Sequence, residues 1–338
     1  MKGRIRSCLG VLLCFFLCLN AAWAAGDRDL SRQEGQAMRL QGLRLFLGVG
    51  EKNGGSTDFE LERVPSREEA VTMLVRALGK GAEAVELSKT HPFTDVPAWA
   101  DGYVSYAYGE GLTKGISDTT FGAGEPVTGA MYVTFMLRAL GYEDGVDFTW
   151  DDPWVLAETC GILPDTVDRE NFLRADAVDV TASVLTAKQK GVDTPLVQKL
   201  IAEGAFSQKA YDRAFQTYEE AMAEVASNDF YHEEKRWESD YGTVLLGYVS
   251  SSPQSSGFNL RLVTKPAAAI GEGLILPLPL PNNQAPEQPA INRDGQAFIY
   301  SVHIDDAFAA QTGAVYEAGT YTYTVDLNTG GVTRDSVP

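Results

Sequence analysis

Apolar residues keep a helical period from about residue 30 to residue 227 and then change to a strand period. Ala70, Met73, Leu74, Ala77 and Leu78 are spaced i, i+3, i+4, i+7 and i+8, the stripe of an amphipathic helix. The stretch recurs: Val71-Thr72 and Arg76-Ala77-Leu78-Gly79 return as Val133-Thr134 and Arg138-Ala139-Leu140-Gly141, and a fainter copy opens at Leu173-Arg174-Ala175-Asp176. An internal repeat outranks local propensity, so the chain reads as three copies of one unit, about 30–85, 90–145 and 146–205. Ser66 and Thr128 stand as N-caps, with Glu69 placed to reach back to the Ser66 amide, and Gly79 and Gly141 stand where a helix wants a left-handed residue. A preceding helix is predicted in each unit, at about Glu34 to Leu47, Trp99 to Tyr108 and Asp152 to Cys160. One helix pair cannot bury its apolar faces, so three pairs around a common axis are expected.

Helical spacing continues through Leu196, Leu200 and Ile201 to Tyr211, Phe215 and Tyr218, which predicts a helical linker over 206–240. Strands are then expected at Thr243 to Val249, Phe258 to Thr264, Gln296 to His303 and Thr320 to Asp326. The last alternates Thr and Tyr with a period of two, and Asp326-Leu327-Asn328-Thr329-Gly330-Gly331 is turn chemistry, so the chain should end in a hairpin. Pro277 to Pro289 reads as a surface connection, with an extended recognition segment as the other reading. The fold class is α+β: a three-repeat helical bundle followed by a small, mostly antiparallel β-domain over 241–338.

Lys2, Arg4 and Arg6 precede the apolar run Cys8 to Leu19, and Ala22-Trp23-Ala24 follows as a cleavage site, so residues 1–24 read as a secretory signal peptide. The run is too short to span a bilayer, and no membrane span is expected after cleavage. Cys8, Cys14 and Cys18 leave with it, so the mature chain would hold only Cys160, and packing rather than a disulfide must support an exported protein. A net charge of −18 argues against nucleic-acid binding, which needs basic stripes.

Repeat two carries a resemblance. Phe93-Thr94-Asp95-Val96-Pro97-Ala98-Trp99-Ala100, Gly111-Leu112-Thr113-Lys114-Gly115, and Phe121 followed by Val127-Thr128 resemble the S-layer homology domains of bacterial cell-surface proteins. Repeat one resembles them through Ser66-Arg67-Glu68-Glu69 and repeat three through Leu173-Arg174-Ala175-Asp176. The resemblance implies a pseudo-threefold bundle whose grooves bind secondary cell-wall polysaccharide, often pyruvylated, on a Gram-positive surface. It makes Arg67 and Arg174 the candidate anion contacts, Ser66 and Thr128 capping or donor groups, and Trp99 and Trp154 stacking platforms for sugar. An arginine in the first turn of a helix is suited to a carboxylate. Repeat two has Gly129 where that arginine should stand, so its groove is expected to have lost its grip.

His91, His232 and His303 have no metal spacing, and no nucleophile elbow or phosphate loop occurs. No cofactor is expected. The leading reading is a non-enzymatic surface protein anchored by the repeats. Two alternatives stand beside it: a secreted enzyme or receptor working through the β-domain, and a scaffold whose repeats no longer hold glycan.

Overall fold

A computed structural model describes residues 28–52, 55–227, 232–249, 257–312 and 315–337; the expected signal segment, 1–24, lies outside the described residues. It is a mixed molecule of helices and small antiparallel sheets. The helices are α1 (Ser31–Gly42), α2 (Arg67–Ala77), α3 (Gly81–Glu86), α4 (Asp101–Gly109), α5 (Gly129–Ala139), α6 (Trp154–Thr159), α7 (Arg174–Thr186), α8 (Leu196–Ala202), α9 (Gln208–Ala214), α10 (Tyr218–Ser227) and, inside the β-region, α11 (Asp306–Gln311). None among the described residues is long and apolar enough to cross a membrane.

One continuous core runs from Ala37 to Leu200 and is centred on α2, α5 and α7. Helix α5 is apolar on nearly every side, with Tyr132, Val133, Phe135, Met136 and Leu137 all buried, as a helix surrounded by others must be. The start of α2 is tied to the start of α5, where Arg67 N–H donates to Glu125 O at 2.9 Å and Val127 N–H to Pro65 O at 3.0 Å. The start of α7 is tied to the segment before α2 by Arg174 N–H to Arg63 O (2.9 Å) and Ala175 N–H to Leu61 O (3.1 Å). These bonds satisfy backbone groups that helix ends leave open.

The first helix is shifted from its expected place. It ends at Gly42 because Arg44 adopts a left-handed φ of 60°, yet Leu43, Leu45 and Phe46 still enter the core as irregular chain. Their apolar character is what extends the periodicity to Leu47. A two-stranded hairpin, β1 (Gly50–Glu51) and β2 (Thr57–Asp58), follows.

The later part holds two four-stranded antiparallel sheets. One has the order β3-β4-β5-β6, from β3 (His232–Glu238), β4 (Gly242–Tyr248), β5 (Asn259–Thr264) and β6 (Ile275–Leu278). The other has the order β10-β9-β8-β7, from β7 (Glu287–Ile291), β8 (Ala297–Ile304), β9 (Gly319–Asp326) and β10 (Val332–Val337). They enclose one core of Val244, Leu246, Leu260 and Leu262 against Phe298, Tyr300, Tyr323 and Val325. The outer face of the first sheet, at Leu245 and Val263, is covered by Ala221 and Val225 of α10, so β4 is buried on both faces.

The expected helical linker over 206–240 is corrected at its end: His232–Glu238 is a strand. Its sequence His-Glu-Glu-Lys-Arg-Trp-Glu lies exposed at a sheet edge, so no alternation of apolar residues marks it. The proline-rich stretch connects two strands over 279–286, as expected, and is corrected only at its ends. Pro277 sits in the edge strand β6 opposite Arg261, and Pro289 lies in β7 at a register shift, the places where a sheet tolerates a missing N–H. The terminal hairpin of β9 and β10 forms across the predicted turn.

Candidate functional site

The site is assembled from the quoted motifs. Asp95 of Phe-Thr-Asp-Val accepts from the Phe121, Gly122 and Ala123 amides at 2.7, 2.7 and 3.1 Å, fixing the loop before α5. Desolvation raises the Asp95 pKa, but the three amides outweigh it and hold the carboxyl below its usual value. His91 braces the same segment from below: Nδ1 accepts from Phe93 N–H at 3.2 Å, which leaves Nε2–H to donate to Asp101 at 3.0 Å. Gly115 of Gly-Leu-Thr-Lys-Gly has a φ of 70°, and a Cβ there would lie 2.4 Å from the Phe93 ring. Only glycine lets this loop press against Phe93.

The loop, the first turn of α2 and the outer face of α5 frame a groove of about 510 Å³. Arg67, Lys114 and Arg138 line it beside Ile116 and Thr134, and the exposed ring of Trp150 (58%) completes the wall. Arg138 is satisfied, donating to Leu112 O at 2.8 Å and pairing with Asp144. Arg67 is not. Its guanidinium lies 5.3 Å over the Phe121 ring, its buried Nε has no hydrogen-bond partner, and burial together with nearby Arg138 lowers its pKa while Asp95 opposes the shift. Lys114 is exposed and has no ion pair among the described residues. The groove is therefore a locally cationic pocket with an aromatic wall on an acidic protein, a combination suited to an anionic ring-bearing ligand.

The structure distributes the expected contact residues unevenly. Ser66 caps α2 next to Arg67, its N–H bound to Glu69 at 2.9 Å, and Arg67 itself lines the groove. Arg174 is 3% exposed, its Nε donates to Phe59 O at 2.9 Å and its guanidinium stacks 5.2 Å over Phe46, so it is spent inside the fold. Thr128 accepts from Met131 N–H at 3.3 Å as the cap of α5. Trp154 is half-buried with Arg169 5.0 Å over its ring, and it packs against Gly129: a Cβ on Gly129 would meet the Trp154 ring at 3.1 Å and Phe172 at 3.2 Å. The space that an arginine would need in repeat two is thus filled. Trp99 is 55% exposed but does not line the groove.

Lys114, Arg138 and Trp150 were not among the expected contacts. Lys114 and Arg138 lie in repeat two and Trp150 in repeat three, so their proximity, not their presence, is what the fold adds.

Residues 92–130 match the S-layer homology domain family. The chain is similar to a surface layer protein of Brevibacillus choshinensis, 36% identical over 164 residues, which is 46% of this chain and 14% of that protein. A middle cell wall protein of Brevibacillus brevis is 34% identical over 144 residues, 41% of this chain and 13% of the relative. A cell surface protein of Thermoanaerobacter kivui is 44% identical over 70 residues, 20% of this chain and 9% of the relative. The chain thus covers at most 14% of the length of these much longer proteins. Motifs, matched residues and relatives agree: residues 92–130 of this chain match the S-layer homology domain, and the chain is similar over part of its length to bacterial surface-layer, cell-wall and cell-surface proteins.

Proposed function

We propose that residues 30–205 form a three-repeat, pseudo-threefold S-layer homology module that attaches the chain non-covalently to an acidic cell-wall polysaccharide, and that this module displays the β-domain without catalysing a reaction. The observation that carries the reading is Arg67: a guanidinium with a buried, unpartnered Nε, beside Lys114 and Trp150 in one groove. Burying a donor without an acceptor is costly, and a carboxylate such as a pyruvyl ketal on a sugar would supply the missing one. Trp150 offers an exposed aromatic face for the sugar ring.

Only one groove is assigned. Gly129 replaces the repeat-two arginine beneath Trp154, and Arg174 is internal, so the equivalent positions lack an available cation. Wall attachment is tested by co-sedimentation with purified sacculi, before and after chemical removal of the secondary polymer. Polymer-dependent pelleting of the wild-type chain is expected, reduced about tenfold or more by Arg67→Ala and by less in Trp150→Ala. Pelleting that persists without polymer, or that ignores both substitutions, would favour the scaffold reading.

A further inference from the structure

Tyr300, Tyr321 and Tyr323 all turn inward from adjacent strands β8 and β9. Two of their hydroxyls are satisfied by backbone: Tyr300 donates to Pro279 O at 2.6 Å, and Tyr321 to Glu317 O at 3.0 Å. Tyr323 is 1% exposed and stacks on Tyr300 at 5.2 Å with a 13° tilt, yet its hydroxyl has no hydrogen-bond partner. It borders a cavity of about 520 Å³ with Tyr316, Pro277, Pro279, Val315 and Arg334. The Arg334 guanidinium sits 5.3 Å from the Tyr316 ring and 5.5 Å from Tyr321, and it has no ion pair among the described residues. Burial, the largest effect, and the adjacent Tyr316 hydroxyl raise the Tyr323 pKa while adjacent Arg334 lowers it, and the net rise keeps the hydroxyl protonated.

We propose that this cavity binds a small carboxylate with a ring body whose face can stack on an aromatic wall. The carboxylate would accept from Arg334 and from Tyr323 O–H, and the ring would lie on the Tyr316 and proline wall. A buried donor without an acceptor is the kind of group that a ligand completes, and a stacked guanidinium presents its donors edge-on to a planar acid. The cavity lies between the β-domain and the β1–β2 hairpin, whose Glu51 and Lys52 also line it, with Lys52 paired to Glu34; it shares no lining residue with the Arg67 groove and is independent of the wall-binding reading. An aromatic acid and a uronic sugar share this chemistry, and the test separates them.

The test is titration calorimetry of the full chain with benzoate, with glucuronate and with methyl benzoate, which keeps the ring and loses the charge. At least one acid is expected to bind saturably with Kd on the order of 1 mM, and methyl benzoate about tenfold more weakly than benzoate where benzoate is the binder. Arg334→Gln should weaken the acid about tenfold and Tyr323→Phe about threefold to tenfold, whereas Arg67→Ala should leave it unchanged. Tyr323→Phe should not lower the melting temperature, because it removes a polar atom that is unsatisfied in the free protein. No saturable binding of either acid, unchanged affinity in Tyr323→Phe, or loss of binding in Arg67→Ala would overturn the proposal.

Discussion

Asp95 holds three consecutive amides with one carboxylate, so removing it releases the loop that carries Phe121 under Arg67. Asp95→Ala is expected to cost about 1–2 kcal/mol in urea unfolding, after discounting charged hydrogen bonds for the exposure of this side chain. Its depressed pKa gives the sign of the pH dependence: the stabilisation is complete above the unfolded value of about 3.9 and is lost as pH falls through the lower folded value. The stability gap between wild type and Asp95→Ala should therefore be flat from about pH 5 to 8 and close under stronger acid. Arg67 and Arg174 show where sequence stops informing. Both follow a helix N-cap in the same motif, but the chain from Phe59 to Arg63 crosses over Arg174 and leaves Arg67 at the edge of a groove. Arg174→Ala should cost about 2–4 kcal/mol in urea unfolding, and Arg67→Ala under about 1 kcal/mol.

Helix ends were the most legible elements, because their signals are local. The cap at Thr128 and the left-handed glycines at Gly79 and Gly141, with φ of 72° and 87°, stand where the spacing puts them. Strands β4, β5, β8 and β9 were legible for the same reason, with alternation or a dense apolar run written into each. Strands β3, β6 and β7 were not. Each is a sheet edge, where pairing on one side only lets charged residues and proline stand in a strand. The contact between α5 and α6 is another feature that no local signal encodes. Trp154 and Phe172 close over Gly129 at distances a methyl group would barely fit. Gly129→Arg should destabilise the fold by about 1–3 kcal/mol through overpacking, and Trp154→Ala in that background should recover part of the loss. A double-mutant cycle by chemical denaturation measures the coupling.

The helical and sheet parts meet closely across the whole molecule. A Cβ on Gly35 of α1 would lie 1.8 Å from Ile270 O, and Arg39 reaches Ala214 O at 2.6 Å and Glu272 O at 2.8 Å. Tyr218 and Thr243 hydroxyls add a hydrogen bond of 2.9 Å. Calorimetry of the wild-type chain should accordingly show one unfolding transition, and Gly35→Ala should split or broaden it by forcing the backbones apart. The net charge of −18 acts at this scale too. It would repel an acidic polymer at long range while, on the proposed reading, Arg67 and Lys114 attract it at contact, so association with polymer should quicken as salt rises from about 0.01 to 0.15 M and the Debye length shrinks from about 30 to 8 Å. Stopped-flow mixing would show it. The filling of repeat two by Trp154 bears on attachment itself. A module with one open groove is monovalent, so it gains none of the roughly 10²- to 10⁴-fold avidity that linked sites provide. On the proposed wall-binding reading, its residence on the wall is a single exponential lifetime, and soluble polymer fragments displace it at concentrations near the affinity of that one groove.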